Sequence, residues 1–177
     1  MSIESPVFKI LVVGEKNVGK TTLVRRYVDG RFMKDTMATI GVDFSLKTVQ
    51  LEKDSDKEFI LQIWDIAGEN RFRAILPSYI VGTEGVILAF DATDENTLDK
   101  LREWIAILNQ HSQKNLFFIL VSTKNDLQSF NKQNLIKKFK EEFSQIKFYL
   151  PTSSLTGQNV EEIFKITGNI IATNYNI

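Results

Sequence analysis

With 177 residues, 43% of them hydrophobic and 25% charged, the chain suits one soluble globular domain built on a single sizeable core. Lysine plus arginine and aspartate plus glutamate each number 22, so bulk charge selects neither nucleic acid nor an anionic membrane as a partner. Cysteine is absent, which excludes disulfides, thiolate metal sites and cysteine lipidation within this sequence. No apolar run approaches the ~18 residues of a membrane span, and residues 1–6 lack a basic-then-apolar signal pattern. A cytoplasmic monomer is expected.

Apolar runs alternate with helical patterns along the chain. Val7–Val13 (VFKILVV) reads as a buried strand and Lys20–Asp29 as a helix. Val42–Leu51 and 58–64 alternate or run apolar, with a hairpin turn expected at Asp54-Ser55-Asp56. Residues 85–90 (GVILAF) and 116–121 (LFFILV) are wholly apolar, as central strands covered on both faces are. Leu98, Leu101, Ile105 and Leu108 recur at helical spacing in 94–109, and 132–143 and 160–171 repeat the pattern around a short strand at 147–150. The order β-α-β-β-α-β-α-β-α-β-α predicts an α/β fold: a mostly parallel six-stranded sheet with helices on both faces. Ligands bind such sheets at the carboxyl ends of the strands, so the loops that follow them carry the candidate site.

The first of these loops is GEKNVGKT at 14–21, which fits G-x-x-x-x-G-K-[ST] in the strand-to-helix setting the motif requires. Its glycines let the backbone N–H groups of Asn17, Val18, Gly19, Lys20, Thr21 and Thr22 wrap phosphate oxygens at a helix N-terminus. Lys20 reaches toward the β- and γ-phosphates, and the Thr21 hydroxyl is a Mg²⁺ ligand. A strand closes on Asp65, followed by Ile66-Ala67-Gly68-Glu69. An aspartate there is commonly only a turn former. Beside a phosphate loop it becomes the carboxylate that holds Mg²⁺, with the Gly68 N–H facing a γ-phosphate.

The strand LFFILV leads into Ser122-Thr123-Lys124-Asn125-Asp126. A buried Asp126 carboxylate accepts from the two donors on the Watson–Crick edge of guanine, a pair adenine lacks. Lys124 lays its stem along the base. From the last strand, Ser153, Ser154 and Leu155 offer a backbone N–H to guanine O6, and Phe32 stacks on the opposite face.

These elements resemble the Ras superfamily of small GTPases, and its Rab branch most. The resemblance covers about residues 7–173 and rests on GEKNVGKT, ATIGVDF at 38–44, WDIAGENRFR at 64–73, TKND at 123–126 and TSS at 152–154. TIGVDF, LQIWDIAG and TSSLTGQNVEEIF are similar to Rab segments in particular. It implies a P-loop NTPase G domain over 7–174 after a flexible segment 1–6. It implies that Thr39 joins Thr21 and Asp65 at Mg²⁺, and that segments 33–43 and 66–80 order around a γ-phosphate. The activity implied is GTP hydrolysis to GDP, with Lys20, Gly68 and Glu69 as its catalytic groups. The partners implied are exchange factors, GTPase-activating proteins and effectors, met through the two switch segments and Phe44, Trp64 and Tyr79. Trp64 and Phe44 read equally well as plain core residues.

Four departures from the family pattern stand out. Glu69 replaces the usual glutamine that orients the attacking water; it can accept a hydrogen bond from water but cannot donate to phosphate as an amide does, and it adds negative charge beside an anion. Lys16 replaces a small residue, either obstructing an incoming catalytic arginine or assisting phosphate binding. Either the two pair across the γ-phosphate in at least one state, or Lys16 points into solvent and Glu69 sits on a mobile loop. Thr123 replaces an asparagine, which weakens the expected contact to guanine N7. The sequence ends at Ile177 without a cysteine-bearing tail, so either a tail is missing, and with it a peripheral membrane location, or no lipid anchor is used. Two other readings remain: a nucleotide-locked scaffold with little hydrolysis, motivated by Glu69 and Lys16, and a different P-loop enzyme acting on ATP, against which Asp126 argues. His111 is expected to be a solvated helix-end residue, the 137–142 charges a solvated helix face, and Pro77 a stop or bend in the 66–80 helix.

Overall fold

The computed structural model describes residues 5–34, 38–51, 54–127 and 130–177. Its strands are β1 (Val7–Val13), β2 (Val42–Leu51), β3 (Asp54–Ile66), β4 (Thr83–Asp91), β5 (Phe117–Thr123) and β6 (Ile146–Pro151). Its helices are α1 (Lys20–Asp29), α2 (Asn70–Arg73), α3 (Leu76–Ile80), α4 (Asn96–His111), α5 (Gln133–Glu142) and α6 (Val160–Tyr175). The strands form one sheet in the order β2-β3-β1-β4-β5-β6, parallel throughout except for β2 against β3. The expected architecture is therefore present.

Strand pleating splits the core between the two faces of the sheet. On β1, Ile10 and Val12 turn to one face and meet Leu23 and Tyr27 of α1 with Ile163, Phe164 and Ile171 of α6. Leu11 and Val13 turn to the other, where Leu76 of α3, Leu101, Trp104 and Leu108 of α4, and Phe139 of α5 close the layer. Tyr27 and Phe164 stack with centroids 3.9 Å apart, tying α1 to α6 across the first layer. Because β1, β4 and β5 are covered on both sides, their central residues, 10–13, 85–90 and 117–121, run apolar rather than alternating.

Three expectations about local structure are corrected. β3 begins at Asp54, with Leu51 and Asp54 in register, so Asp54-Ser55-Asp56 belongs to the strand and not to the hairpin turn. The helix expected from 94 starts at Asn96, because the Asp94 carboxylate accepts the backbone N–H of Asn96 at 3.1 Å and forms a turn ahead of it. Pro77 neither ends nor bends one helix; it sits in the first turn of α3, where its missing N–H has no partner to lose. The expected N-terminal segment is described only from Ser5. His111 is exposed at the end of α4, as expected. On the 137–142 face, Glu142 pairs with Arg102 of α4 at 2.8 Å, so this residue joins two helices instead of pairing within its own.

Candidate nucleotide site

The loop 14–19 leaves β1 and enters α1 through Gly19, whose φ of 97° is a left-handed conformation that favours glycine. No side chain caps α1, so the N–H groups of its first turn stay available to a ligand. Lys20, in that turn, is buried; its Nζ donates to the carbonyls of Gly14 at 2.9 Å and Glu15 at 2.8 Å. Burial lowers its pKa to about 8, against the opposing pull of the Asp65 and Glu15 carboxylates.

Below the loop three oxygens converge. The Thr21 hydroxyl donates to Asp65 Oδ2 and lies 2.6 Å from the Thr39 hydroxyl, which itself reaches Asp65 Oδ2 at 3.4 Å. Asp65 is buried at the end of β3, and burial raises its pKa, opposed by the Thr21 hydroxyl and Lys20. Its Oδ1 is buried with no hydrogen-bond partner among the described residues. A buried, unpartnered carboxylate oxygen beside two hydroxyls is a hard-oxygen donor set suited to Mg²⁺, which takes one or two carboxylates and fills its remaining positions with water and phosphate. Among the described residues no cluster of three His, Cys, Asp or Glu exists that would form an all-protein cage for another metal.

Gly68 presses against the phosphate loop: a Cβ there would collide with the backbone of Glu15 and Lys16. Glu69 follows at the N-terminus of α2, with Lys16 Nζ at 2.9 Å from Oε1 and Arg71 Nε at 2.8 Å from Oε2. The Lys16 hydrogen bond is the main cause holding the Glu69 pKa low. The pairing of these two departures from the family pattern is thus present. Lys16, Asn17, Gly19, Lys20, Thr21, Thr22, Thr39, Gly68, Glu69 and Lys124 share the wall of a cavity of ≈ 320 Å³.

Of the base-side residues, Lys124 lines this cavity, and Asp126, Ser153, Ser154, Leu155 and Phe32 do not. Ser153, fully buried, donates its hydroxyl to Asp126 Oδ1 and aims that carboxylate. Asp126 itself is exposed, which corrects the expectation of a buried aspartate; it sits in the turn after β5 and not in its core. Ser154 is half-buried, and Leu155 and Phe32 are exposed. Lys124 Nζ spans to the Asn17 carbonyl at 2.8 Å and Asp91 Oδ2 at 2.5 Å, fastening the base loop to the phosphate loop. Thr123 is buried, and its hydroxyl meets the carbonyls of Val18 and Phe90. It acts beneath the loop, on the loop's own backbone.

Sequence reasoning missed one cluster. Arg73 of α2 pairs with both Glu15 of the phosphate loop and Glu103 of α4, and lies over the Trp104 ring at 5.0 Å. Trp104 donates its Nε1 to the same Glu15 at 3.1 Å. Glu15 occupies a variable position of its motif, and nothing in the spacing connects it to residues 73, 103 and 104.

A profile of the Ras family matches residues 9–173. The chain belongs to the Ras family. Among curated proteins, it is 40% identical to Ras-related protein Rab-30 of Homo sapiens over 160 residues, covering 89% of this chain and 76% of that protein. It is 38% identical to Ras-related protein RAB1BV of Beta vulgaris over 161 residues, 89% of this chain and 73% of the relative. Ras-related protein Rab-1D of Dictyostelium discoideum is 38% identical over 159 residues, 89% and 76% of the two chains. This Ras-family protein is a Rab-like small GTPase, a switch that binds GTP or GDP and hydrolyses GTP.

The aromatic cluster of this GTPase resolves between the two readings. Phe44 is 57% exposed and stacks on half-buried Trp64 at 5.7 Å, which meets Tyr79 at 5.4 Å. Trp64 and Tyr79 back onto the second core layer while the Phe44 ring faces outward. No helix among the described residues is long and apolar enough to cross a membrane.

Proposed function

We propose that residues 7–174 act as one G domain that binds GTP or GDP with Mg²⁺ and turns GTP over slowly, in membrane-traffic-type signalling. The observation that carries this reading is the convergence of Thr21, Thr39 and Asp65 below the phosphate loop, with Asp65 Oδ1 left without a partner. The backbone of 17–22 wraps the phosphates, and Lys20 exchanges its carbonyl partners for phosphate oxygens. Thr21, Thr39 and Asp65 hold the metal. When bound, Mg²⁺ neutralises charge developing on the β- and γ-phosphate oxygens.

In hydrolysis, water attacks the γ-phosphorus, the bond to the β–γ bridging oxygen breaks, and the water's proton leaves on inorganic phosphate. Gly68 N–H donates to a γ-phosphate oxygen, and its missing side chain lets the segment lie close enough to do so. Glu69 accepts a hydrogen bond from the attacking water and so orients it. A carboxylate cannot also donate to the phosphate, and it adds an anion beside one, so slow turnover follows. On the base side Asp126, aimed by Ser153, accepts from guanine, while Ser154 and Leu155 supply backbone donors, Lys124 covers one face and Phe32 the other. Exchange factors, GTPase-activating proteins and effectors dock on the two switch segments and on Phe44, Trp64 and Tyr79.

The Asp126→Asn variant tests the base assignment, because an amide donates where the carboxylate accepted. In competition binding, GDP affinity should fall at least about a hundredfold while xanthosine diphosphate gains. Undiminished GDP binding would mean that the base does not rest on Asp126.

A further inference from the structure

We propose that Lys16 and Glu69 form a clasp over the phosphate cavity, so that the Glu69 carboxylate competes with the γ-phosphate for the Lys16 ammonium. The inference rests on the reading of this cavity as the nucleotide site. Both residues line the cavity wall together with Lys20, Thr21 and Gly68, so a third phosphate enters the space they span. Lys16 Nζ already has an anionic partner at 2.9 Å, and that partner is not part of the phosphate loop. Glu69 has both oxygens engaged, Oε1 by Lys16 and Oε2 by Arg71.

Two consequences follow from charge alone. With a diphosphate bound, nothing displaces Glu69, and the clasp stays shut. A γ-phosphate brings greater negative charge than a single carboxylate and repels Glu69 while attracting Lys16. Lys16 then passes from Glu69 to the phosphate. The exchange frees Oε1, the one oxygen able to turn to the attacking water, because Arg71 retains the other. Opening the clasp thus arms the group that positions the water, and the cost of opening lowers the preference for triphosphate over diphosphate. Glu69 is in this sense a residue that sets nucleotide preference as well as one that orients water. Lys16 is 53% exposed and Glu69 24%, so the pair is of the partly solvated kind, whose effects are modest and weakened by salt.

The test measures affinities for GDP and for a β,γ-imido GTP analogue, both with Mg²⁺, in the unaltered protein, Glu69→Gln, Lys16→Met and the double variant. The readout is the ratio of analogue affinity to GDP affinity. Glu69→Gln should raise that ratio by about three-fold or more, the size expected for removing one partly exposed charge partner. Lys16→Met should lower it, because the phosphate loses its ammonium while the carboxylate stays. The two effects should be non-additive, since only the unaltered protein has a pair to break. Raising the ionic strength should shrink the Glu69→Gln effect. An unchanged or lowered ratio in Glu69→Gln, or strictly additive effects, would overturn the clasp while leaving the nucleotide site intact. Failure of the unaltered protein to bind GDP would overturn the nucleotide reading, and the clasp with it.

Discussion

Tyr27 is buried face to face with Phe164, and burial is the main cause that pushes its hydroxyl up to about 12, with the Glu161 carboxylate adding to it. In the unfolded chain the same hydroxyl ionises near 10. Between those values the native state keeps a proton that the unfolded state has released, so stability falls as pH rises through this window. The contribution is fully present below pH ~10 and, discounted for partial solvation, amounts to no more than about 2 kcal/mol. Urea denaturation at about pH 8 and about pH 11 should show Tyr27→Phe losing less stability between the two than the unaltered protein. Equal losses would mean that the hydroxyl ionises alike in both states. At this scale the sequence was informative where a residue type serves one chemistry. Lys20, Thr21 and Asp65 were legible because a motif fixes them and a strand end places them. The environment of Asp126 was not, since whether a turn residue is covered depends on what packs around it. Thr123 was legible as part of the base loop, but its partners, the Val18 and Phe90 carbonyls, come from other loops and strands.

Helix α2 has only four residues and none of its side chains is buried, so propensity alone does not hold it. Arg73 does: it is 12% exposed, pairs with Glu15 and Glu103, and stacks on Trp104. Removing a guanidinium from so enclosed a site leaves Glu15 with Trp104 Nε1 as its remaining side-chain donor. Arg73→Met should destabilise the protein by about 2 kcal/mol, intermediate between exposed and fully buried pairs. Glu103→Gln, at the half-exposed end of the same network, should change stability by under about 1 kcal/mol. Chemical denaturation of the two variants measures both; equal effects would show that burial of the Glu15 end carries no special weight. β1, α1 and β2 keep their expected bounds, while the strongly periodic 94–109 helix is shifted by two residues at each end. The division of the 66–80 segment into α2 and α3 was not legible. Its short helices are held by long-range contacts to the phosphate loop and α4, and such contacts leave no periodic trace.

Across the whole molecule, the sheet and its two apolar layers form a frame from which the first turn of α1, the segment leading into β2 and the loops after β1, β3 and β5 reach the cavity. The covering of both faces was readable from the apolar runs, because burial on two sides leaves residues 85–90 of β4 and 117–121 of β5 without a polar side chain; the strand order has no such trace in the sequence. A nucleotide-dependent change should therefore be confined to segments with few core contacts that touch the cavity. Thr39 is half-buried and, among the described residues, its side chain bonds to the Thr21 hydroxyl and the Asp65 carboxylate, while neighbouring Ile40 is 83% exposed. Gly68 and Glu69 touch the cavity from the other side. A γ-phosphate gives both segments a common partner that GDP lacks. Amide hydrogen exchange around Thr39 and through 68–73 should slow with a β,γ-imido GTP analogue relative to GDP, whereas β1, β4 and β5 should exchange equally slowly in both states. Protection that spread evenly through the sheet would indicate general stabilisation by ligand and not a switch. Identical protection at Thr39 and 68–73 in the two states would show that this frame holds its loops fixed whatever the phosphate number.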